Sequence, residues 1–455
     1  MRLIARYAVD LGSEYMVRTV FDSKIEDISI PKDNPTLETI TDIYPTAIWM
    51  ERKIYDDFGI SFLNSFDQRP LVHQEYFPNG VHPMQKTFKG SIDSSEYIPY
   101  QYETIGGDGV FEVSVGPIHA GIIEPGHFHF SQAGEEMLHL EIRHFYTYRG
   151  LEKMLEGLTM EEARPIIERI SGNETIAYQL AFVDILSQAN KIIIPKDIKE
   201  RHYILLELER IIHHLTDLGF IPNDAGFGTA LAFCSMKAEE ARREMFKLTG
   251  HRFGFGGVKL STSNIDIKSF NSYLNQLEKD ITWFKDWIMD IPSLWDRFDT
   301  TGILPKAKAI KYSTVGVVAR ASGVPIDRRE DNPIYKEAGF NIVTSCKCDV
   351  SGRFLVRLNE VENSITIIRN LLKDNPSTVE LKTIVDGEYS SYIESSIGEL
   401  FMTITITDGL ISRFYARDPS FVNWQAMHIM MPKNIIPDFP LINKSCDLSY
   451  GGNDL

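Results

Sequence analysis

The hydrophobic pattern divides this chain into a strand-rich start, a helical middle and a strand-rich end. Short runs of β-branched and aromatic residues at 2–11 and 14–22 predict two strands. At 47–60 apolar residues recur at helical spacing between charges, and Gly59 is placed to end that helix. These elements predict a small N-terminal α/β domain, to which we assign residues 1–95.

The remainder, 96–455, has the pattern of a mainly helical bundle with β elements at both ends. Alternating segments at 110–117 and 137–143 predict strands, and so does 400–416, which turns at an Asp-Gly pair. Helical periodicity dominates between them, most clearly over 201–220. The apolar stripe of that helix consists of Ile204, Leu208, Ile211, Leu215 and Leu218. Further helices are predicted near 161–190, 229–249, 266–296 and 357–373. The expected fold class is therefore α+β.

Composition and charge narrow the classes of function. The 455 residues carry a formal net charge of −16, so nucleic acid is not an expected partner, because it binds clusters of Lys and Arg. No run of about 18 apolar residues occurs, so we expect any membrane association to come through partner subunits. The four cysteines include no Cys-x-x-Cys pair. Cys346 and Cys348 are predicted to share one face of a strand, as a metal pair or, more commonly, as two half-buried thiols.

Five segments carry a resemblance to one family of redox subunits. They are GPIHAGIIEPGHF (116–128), YRGLEKMLEG (148–157), ARASGVPIDRREDNPIY (319–335), GRFLVRLNEVENSITIIR (352–369) and IGEL (397–400). These segments resemble the large subunit of energy-converting, membrane-bound nickel–iron hydrogenases and the related quinone-site subunit of respiratory complex I. The first domain resembles the small complex I subunit that is often fused ahead of it, through 44–62 and HPMQK at 82–86. The resemblance covers nearly the whole chain.

The chain departs from the hydrogenases at the metal ligands. In that family two Cys-x-x-Cys pairs hold nickel and iron, because thiolates suit soft metals. At the corresponding positions this chain has Ser171 and Glu174 in the first pair, and Ser449 and Gly452 in the second. The Arg that usually precedes the family's Gly-Glu-Leu strand is Ile397 here. The resemblance therefore implies a degenerate ligand set and argues against an active nickel–iron hydrogenase.

The resemblance also implies which residues would handle an acceptor and protons. His119 and His127 would hold a quinone-like headgroup, and Glu124 and Glu174 would act with them as catalytic proton-carrying groups. The family's quinone-binding Tyr position is occupied by Gly172. The alternative is that the histidines only stabilise their own loop, while Glu174 pairs with an arginine in a collapsed or water-filled cavity.

A dense run of charges gives the candidate partner interface. The resemblance implies that Arg320, Asp327 and Arg329 lie against the small iron–sulfur subunit, whereas the general alternative for such a run is a solvated face. On the helix predicted over 201–220, His213 and His214 lie outside the apolar stripe. We therefore expect these two histidines at the surface.

Two functional hypotheses follow. In the first, the chain is a subunit of a complex I-like, hydrogenase-related oxidoreductase that passes electrons from a partner iron–sulfur subunit to an acceptor such as quinone. It would hold no metal of its own, leave NADH to other subunits, and dock to ion-translocating membrane subunits on the cytoplasmic side. In the second, the chain is a structural or coupling subunit without chemistry. The second hypothesis predicts that no cavity lies beside Ser171 and Glu174.

Overall fold

The computed structural model describes residues 1–119, 123–262, 264–373 and 376–455. Its strands are β1 (Leu3–Asp10), β2 (Glu14–Phe21), β3 (Ile25–Pro31), β4 (Thr36–Glu38), β5 (Ser61–Leu63), β6 (Val110–Val115), β7 (His127–Ala133), β8 (Glu136–Arg143), β9 (Gly387–Glu394), β10 (Glu399–Thr407) and β11 (Leu410–Arg417). Its first eight helices are α1 (Ala47–Phe58), α2 (Leu151–Leu155), α3 (Met160–Ile167), α4 (Thr175–Ala189), α5 (Lys196–Asp224), α6 (Gly228–Thr249), α7 (Ile267–Met289) and α8 (Pro292–Phe298). The later helices are α9 (Lys306–Lys311), α10 (Gly316–Ala321), a 3-10 helix (Arg328–Asp331), α11 (Pro333–Glu337), α12 (Val350–Leu371), α13 (Pro419–Trp424), α14 (Met427–Met430), α15 (Asp438–Cys446) and α16 (Tyr450–Asp454). The α+β class is confirmed.

The N-terminal part is an antiparallel sheet, β1-β2-β3, with helix α1 packed against β1. Helix α1 ends at Gly59, whose φ of 78° lets its N–H donate to the carbonyl of Tyr55. A Cβ at Gly59 would lie 2.7 Å from Nε2 of His82, so both backbone conformation and space require glycine there. The two strands and the helix predicted for this part are confirmed.

Helix α5 is the centre of the helical part and packs against α6, α12 and α15. Every residue of its predicted apolar stripe is at most 1% exposed. The helix predicted near 266–296 is two helices, α7 and α8, because Pro292 lacks the N–H that a continuous helix needs. The helix predicted near 161–190 is likewise divided into α3 and α4. The turn 168–174 between them carries two of the degenerate ligand positions.

The C-terminal sheet, in the order β11-β10-β9, packs against the N-terminal part. The ring of Tyr7 on β1 stacks on that of Tyr415 on β11 at a centroid distance of 4.4 Å. Arg417 donates from Nε to the carbonyl oxygen of Ile4 at 3.0 Å. The first and last strands of the chain therefore contribute to one shared core.

A third sheet, β6-β7-β8, lies at the start of the second predicted domain. Successive side chains of a strand point to opposite faces, and β7 follows this rule. Phe128 and Phe130 are fully buried against the helical part, whereas His127 and His129 lie on the other face beside Tyr102. The motif at 116–128 is described except for residues 120–122, which lie outside the described part of the chain.

Two expectations from the sequence are wrong. Cys346 and Cys348 lie in an irregular segment without a strand, and Cys348 has a φ of 66°. His214 is buried rather than at the surface, because Nε2 of its ring lies 2.8 Å from Oε2 of Glu360 inside the helical part.

Among the described helices, none is long and apolar enough to cross a membrane. The domain boundary near residue 95 stays a prediction.

Candidate functional site

The fold brings the four degenerate ligand positions together from distant parts of the sequence. Ser171 comes from the α3–α4 turn and Ser449 from the residue before α16, and their hydroxyl oxygens are 3.2 Å apart. Ser449 caps α16, because its Oγ accepts a hydrogen bond from the N–H of Gly452 at 2.9 Å. Glu174 precedes the first residue of α4 and is fully buried. Ser171, Ser449 and Gly452, three of the four positions that the resemblance assigns to metal ligands, therefore lie close together in the fold.

Gly452 leaves no room for a ligand side chain. A Cβ at this position would lie 2.2 Å from Oδ2 of Asp418 and 2.9 Å from Oγ of Ser449. The space that a cysteine side chain would need is thus occupied by the carboxyl group of Asp418. Two hydroxyls that bond to each other, one carboxyl and a glycine do not fit a nickel–iron centre, which requires soft thiolate ligands. Within the described residues, no group of three or more His, Cys, Asp or Glu side chains is arranged to hold a metal ion.

Glu174 belongs to a buried set that we call the acid cluster, defined as Glu174, Tyr178, Ser395 and Asp418. Ser395 donates its hydroxyl hydrogen to Oε1 of Glu174, and the hydroxyl of Tyr178 donates to Oδ2 of Asp418 at 3.1 Å. Burial and the adjacent carboxyl of Asp418 raise the pKa of Glu174 well above its usual value. No described ion pair includes Glu174, so the expected alternative of an arginine partner is not what the structure has.

Asp418 was missed by the sequence analysis. It caps α13 with Oδ1, which accepts from the N–H of Ser420 at 2.8 Å. The Asp-Pro-Ser sequence at 418–420 is a helix start signal and would have predicted this capping role. No local sequence pattern indicates that the other carboxyl oxygen of Asp418, Oδ2, accepts a hydrogen bond from Tyr178 on α4.

A cavity of about 370 Å³ adjoins the degenerate ligand positions. Four chain segments line it: the motif segment before β7, the segment before α2, the α3–α4 turn and the segment from α15 to α16. Its apolar lining comes from Ile123, Ile170, Leu448 and Tyr450, and its polar lining includes Glu124, Arg149, Asn173, Lys444 and Ser449. Ile170 and Gly172, the chain neighbours of Ser171, line the cavity, but Ser171 and Glu174 themselves do not. The purely structural hypothesis, which expects no cavity beside Ser171 and Glu174, therefore remains a second hypothesis.

Glu124 lines this cavity, whereas His119 does not line it and lies next to Tyr450, which does. Glu124 is exposed and lines it, and its Oε2 accepts a hydrogen bond from the N–H of Gly451 at 2.8 Å. The His119 ring is half-buried, 5.4 Å from the ring of Phe128 and 6.4 Å from that of Tyr450. Burial lowers the pKa of His119, so the ring is neutral at pH 7. Its Nε2 is a buried atom without a hydrogen-bond partner among the described residues.

His127 is not brought together with His119. It lies on the opposite face of β7, where its ring stacks on Tyr102 at 4.9 Å. Burial and the neighbouring His129 and Arg143 lower the pKa of His127. The two histidines of the motif therefore face different surroundings, and only His119 lies on the side of Phe128 and Tyr450.

The three predicted interface residues are inside the chain. Arg320, Asp327 and Arg329 have side chains that are at most 3% exposed, so they lie neither on a solvated face nor on a surface open to a partner. This correction has an electrostatic reason, since each side chain is paired with an opposite charge. Arg320 lies 2.8 Å from Glu360, 2.7 Å from Glu394 and 3.1 Å from Asp327.

These three residues are part of a larger buried set that we call the arginine cluster. It consists of Glu207, Arg210, His214, Arg320, Asp327, Arg329, Glu360 and Glu394. Burial alone would raise the pKa of Glu360, but Arg320 and His214 hold that pKa well below its usual value. The sequence signal for the cluster was the alternation of charges around Arg329, which predicts pairing but not burial.

Comparison with known proteins agrees with this architecture. The model of the family described as "Respiratory-chain NADH dehydrogenase, 49 Kd subunit" matches residues 224–383, and that of the "30 Kd subunit" matches residues 7–94. The chain is 27% identical to formate hydrogenlyase subunit 5 of Escherichia coli over 94% of this chain and 78% of that protein. It is 25% identical to the fused C/D polypeptide of NADH-quinone oxidoreductase from Phocaeicola vulgatus, over 81% of this chain and 77% of that protein.

A third relative is the carbon monoxide-induced hydrogenase of Rhodospirillum rubrum, 27% identical over 74% of this chain and 97% of that protein. Fold, degenerate site and relatives together define an oxidoreductase subunit of the complex I and hydrogenase type. The chain thus combines in one polypeptide a segment of the 30 kDa type and a segment of the 49 kDa type of complex I subunit.

Proposed function

We propose that this chain is the acceptor-binding subunit of a membrane-associated, complex I-like oxidoreductase. Electrons arrive from an iron–sulfur cluster in a partner subunit and pass to a quinone-like acceptor. Partner membrane subunits couple this electron transfer to ion translocation. The chain then acts on the cytoplasmic side and contributes the acceptor site rather than a metal centre.

The cavity beside Ser171 and Ser449 carries this proposal. Its volume of about 370 Å³ suits a single aromatic headgroup, and its apolar and polar linings match a ring with two carbonyl oxygens. The similarity to proteins named as subunits of NADH-quinone oxidoreductases supports a quinone as the acceptor.

The chain's own residues would bind and orient the acceptor. The neutral ring of His119 has an unused Nε2 and is suited to a hydrogen bond with a carbonyl oxygen of the acceptor. Glu124, held by the N–H of Gly451, lies where the cavity meets solvent and is suited to exchange protons with water. His127 has a stacking partner in Tyr102 and serves in this proposal as a support for the motif.

The test is quinone-dependent turnover by the purified complex. We expect His119→Ala to lower kcat/KM for a water-soluble quinone by 10-fold or more, on the order of one lost charge-neutral hydrogen bond plus lost positioning. His251→Ala is the matched control, because His251 lies in the loop after α6, outside the cavity lining. Unchanged turnover in His119→Ala would remove this role, and absence of quinone turnover in the intact complex would remove the function.

A second candidate function is a structural or coupling subunit without an acceptor. The filled ligand positions favour it, because Asp418 occupies the side-chain space at Gly452 and the two serines bond to each other. It requires that no quinone analogue protects the cavity. Hydrogen exchange of the α3–α4 turn and of α16, measured in the complex with and without such an analogue, separates the two functions.

A further inference from the structure

The acid cluster holds two carboxyl groups side by side without a cation. Among the described ion pairs, none includes Glu174 or Asp418. Both groups are buried, at 0% and 1% exposure. Two adjacent buried carboxylates repel each other strongly, so one proton between them is the arrangement with the lowest energy.

The hydrogen-bond inventory points to the same arrangement. Oε1 of Glu174 receives the hydroxyl of Ser395, whereas Oε2 is buried and has no donor facing it while both carboxyls are ionised. Buried polar atoms nearly always have a partner. A proton held between Glu174 and Asp418 supplies the missing hydrogen bond, while Tyr178 donates to the far carboxyl at 3.1 Å.

We propose that Glu174 and Asp418 share one proton and that this dyad donates it to the acceptor in the adjoining cavity through the hydroxyls of Ser449 and Ser171. The shared proton rests on the burial of the two carboxyl groups, on the unpaired Oε2 of Glu174 and on the interaction between Glu174 and Asp418. The donor role rests on the proposed acceptor function.

Gly452 keeps the route between dyad and cavity free of side-chain atoms. The position that its Cβ would take lies 2.2 Å from Oδ2 of Asp418 and 2.9 Å from Oγ of Ser449. These two oxygens are therefore at most 5.1 Å apart, a separation that one water molecule can bridge. Ser449 lines the cavity, and its bond to Ser171 can run in either direction. A proton can thus pass along the two hydroxyls.

Electrons and protons balance in this reaction. The quinone takes two electrons from the partner's iron–sulfur cluster, and each of its two oxygens gains one proton to give the quinol. One proton comes from the dyad and the other from water at the mouth of the cavity. The dyad then regains a proton from solvent by the same hydroxyls, so the net reaction consumes two electrons and two solvent protons.

The groups that face the dyad come from several elements. Tyr178 lies one turn further along α4, Glu209 approaches from α5, Ser395 follows β9, and Arg149 acts from the segment before α2. Burial raises the pKa of Glu209 to about 8, although the N–H groups of Ile176 and Ala177 oppose this. Glu209 therefore adds a third acidic group near the start of α4 and favours a proton-holding site there.

Infrared difference spectroscopy of the purified complex at neutral pH tests the shared proton. We expect a protonated-carboxyl C=O band that shifts in heavy water, disappears in Glu174→Gln and shifts in Asp418→Asn. Ser449→Ala is the matched control, because it leaves both carboxyl groups in place, and the band should persist in it. A wild-type spectrum without a carboxyl band that depends on Glu174 would overturn the shared proton.

Turnover of a water-soluble quinone tests the donor role. We expect kcat to fall 10-fold or more in Glu174→Gln and in Ser449→Ala, with a changed pH profile and a changed solvent isotope effect, while KM changes little. If both variants keep the wild-type pH profile, the donor role is wrong although the acceptor function stands. If the wild-type complex shows no quinone turnover, the donor role falls with the function, and the infrared band still decides the shared proton.

Discussion

The arginine cluster and the acid cluster are neighbours inside the same core, yet the pKa values of one buried glutamate in each, Glu360 and Glu174, are shifted in opposite directions. Glu394 at the end of β9 belongs to the first, and the next residue, Ser395, belongs to the second. In the arginine cluster, Glu360 is as buried as Glu174 but faces guanidinium groups, and its pKa is held low. In the acid cluster the neighbour of Glu174 is another carboxyl, and the pKa of Glu174 is raised. For these two equally buried glutamates, the charge of the neighbouring groups decides the direction of the pKa shift.

The largest effect is expected from breaking the arginine cluster. Arg320→Met should lower the free energy of unfolding by about 3–5 kcal/mol, because it leaves buried carboxylates without their cation. The midpoint of chemical denaturation of the purified chain measures this change. Arg369→Met is the control, since Arg369 pairs with Glu278 at the surface, 3.0 Å away, and such pairs contribute about 1 kcal/mol or less. Equal losses in both variants would contradict the role assigned to burial.

A smaller effect is expected from filling the gap beside the acid cluster. Gly452→Ala should destabilise the chain by about 1–3 kcal/mol, because its Cβ would overlap the carboxyl of Asp418. Asp418→Ala in the same chain should restore part of the loss, which a double-mutant cycle measures. Gly172→Ala is the control, since nothing lies within 4 Å of its Cβ position. Additive losses in the double variant would show that the overlap is not the cause.

The contributions of Glu174 and Glu360 to stability should depend on pH with opposite sign. Glu174 in the unfolded chain titrates near 4.5, whereas its native pKa is raised, so its contribution to stability is complete below 4.5 and is lost as pH rises. Glu174→Gln should therefore gain stability relative to wild type between pH 5 and pH 8. Glu360 has a lowered native pKa, so Glu360→Gln should lose most at neutral pH and less as the pH falls below its ordinary 4.5. Denaturation midpoints of both variants and of wild type, measured from below pH 4.5 up to pH 8, test these two expectations.

The smallest effect is expected from the hydroxyl pair at the cavity wall. Ser171→Ala removes the 3.2 Å hydrogen bond to Ser449 and should lower the free energy of unfolding by about 1 kcal/mol. Ser412→Ala, on the exposed part of β11, is the control. A loss as large as that of Gly452→Ala would mean that the serines, rather than Asp418, hold this wall together.

The elements that the sequence predicts well are those set by local periodicity. The stripe on α5, the hairpin turn at Asp408-Gly409 and the end of α1 at Gly59 all depend on spacing within a few residues. The assignment of Ser171, Glu174, Ser449 and Gly452 to the ligand positions of the family stays a prediction, although the fold places Ser171, Ser449 and Gly452 close together. The family resemblance, rather than hydrophobic pattern, supplied that information.

The buried contacts between residues far apart in the sequence were not predictable in this way. Tyr178 and Asp418 are 240 residues apart in the sequence, and neither lies in a motif that indicates the other. Arg320 and Arg329 read as a surface charge run, because a single sequence does not reveal that Glu207 and Glu360 on α5 and α12 face them. Long-range pairing of charges inside a core follows from packing geometry, which has no local signature.

The contact between the first and last sheets has a consequence for assembly. Arg2 pairs with Glu399 at 2.6 Å and the strands share a core, so the two halves of the polypeptide hold each other by noncovalent contacts as well as by the connecting segment. The connection raises the effective concentration of each half near the other. It thereby keeps the N-terminal part and the rest of the chain at a fixed one-to-one ratio, with each available to the other as soon as both are synthesised.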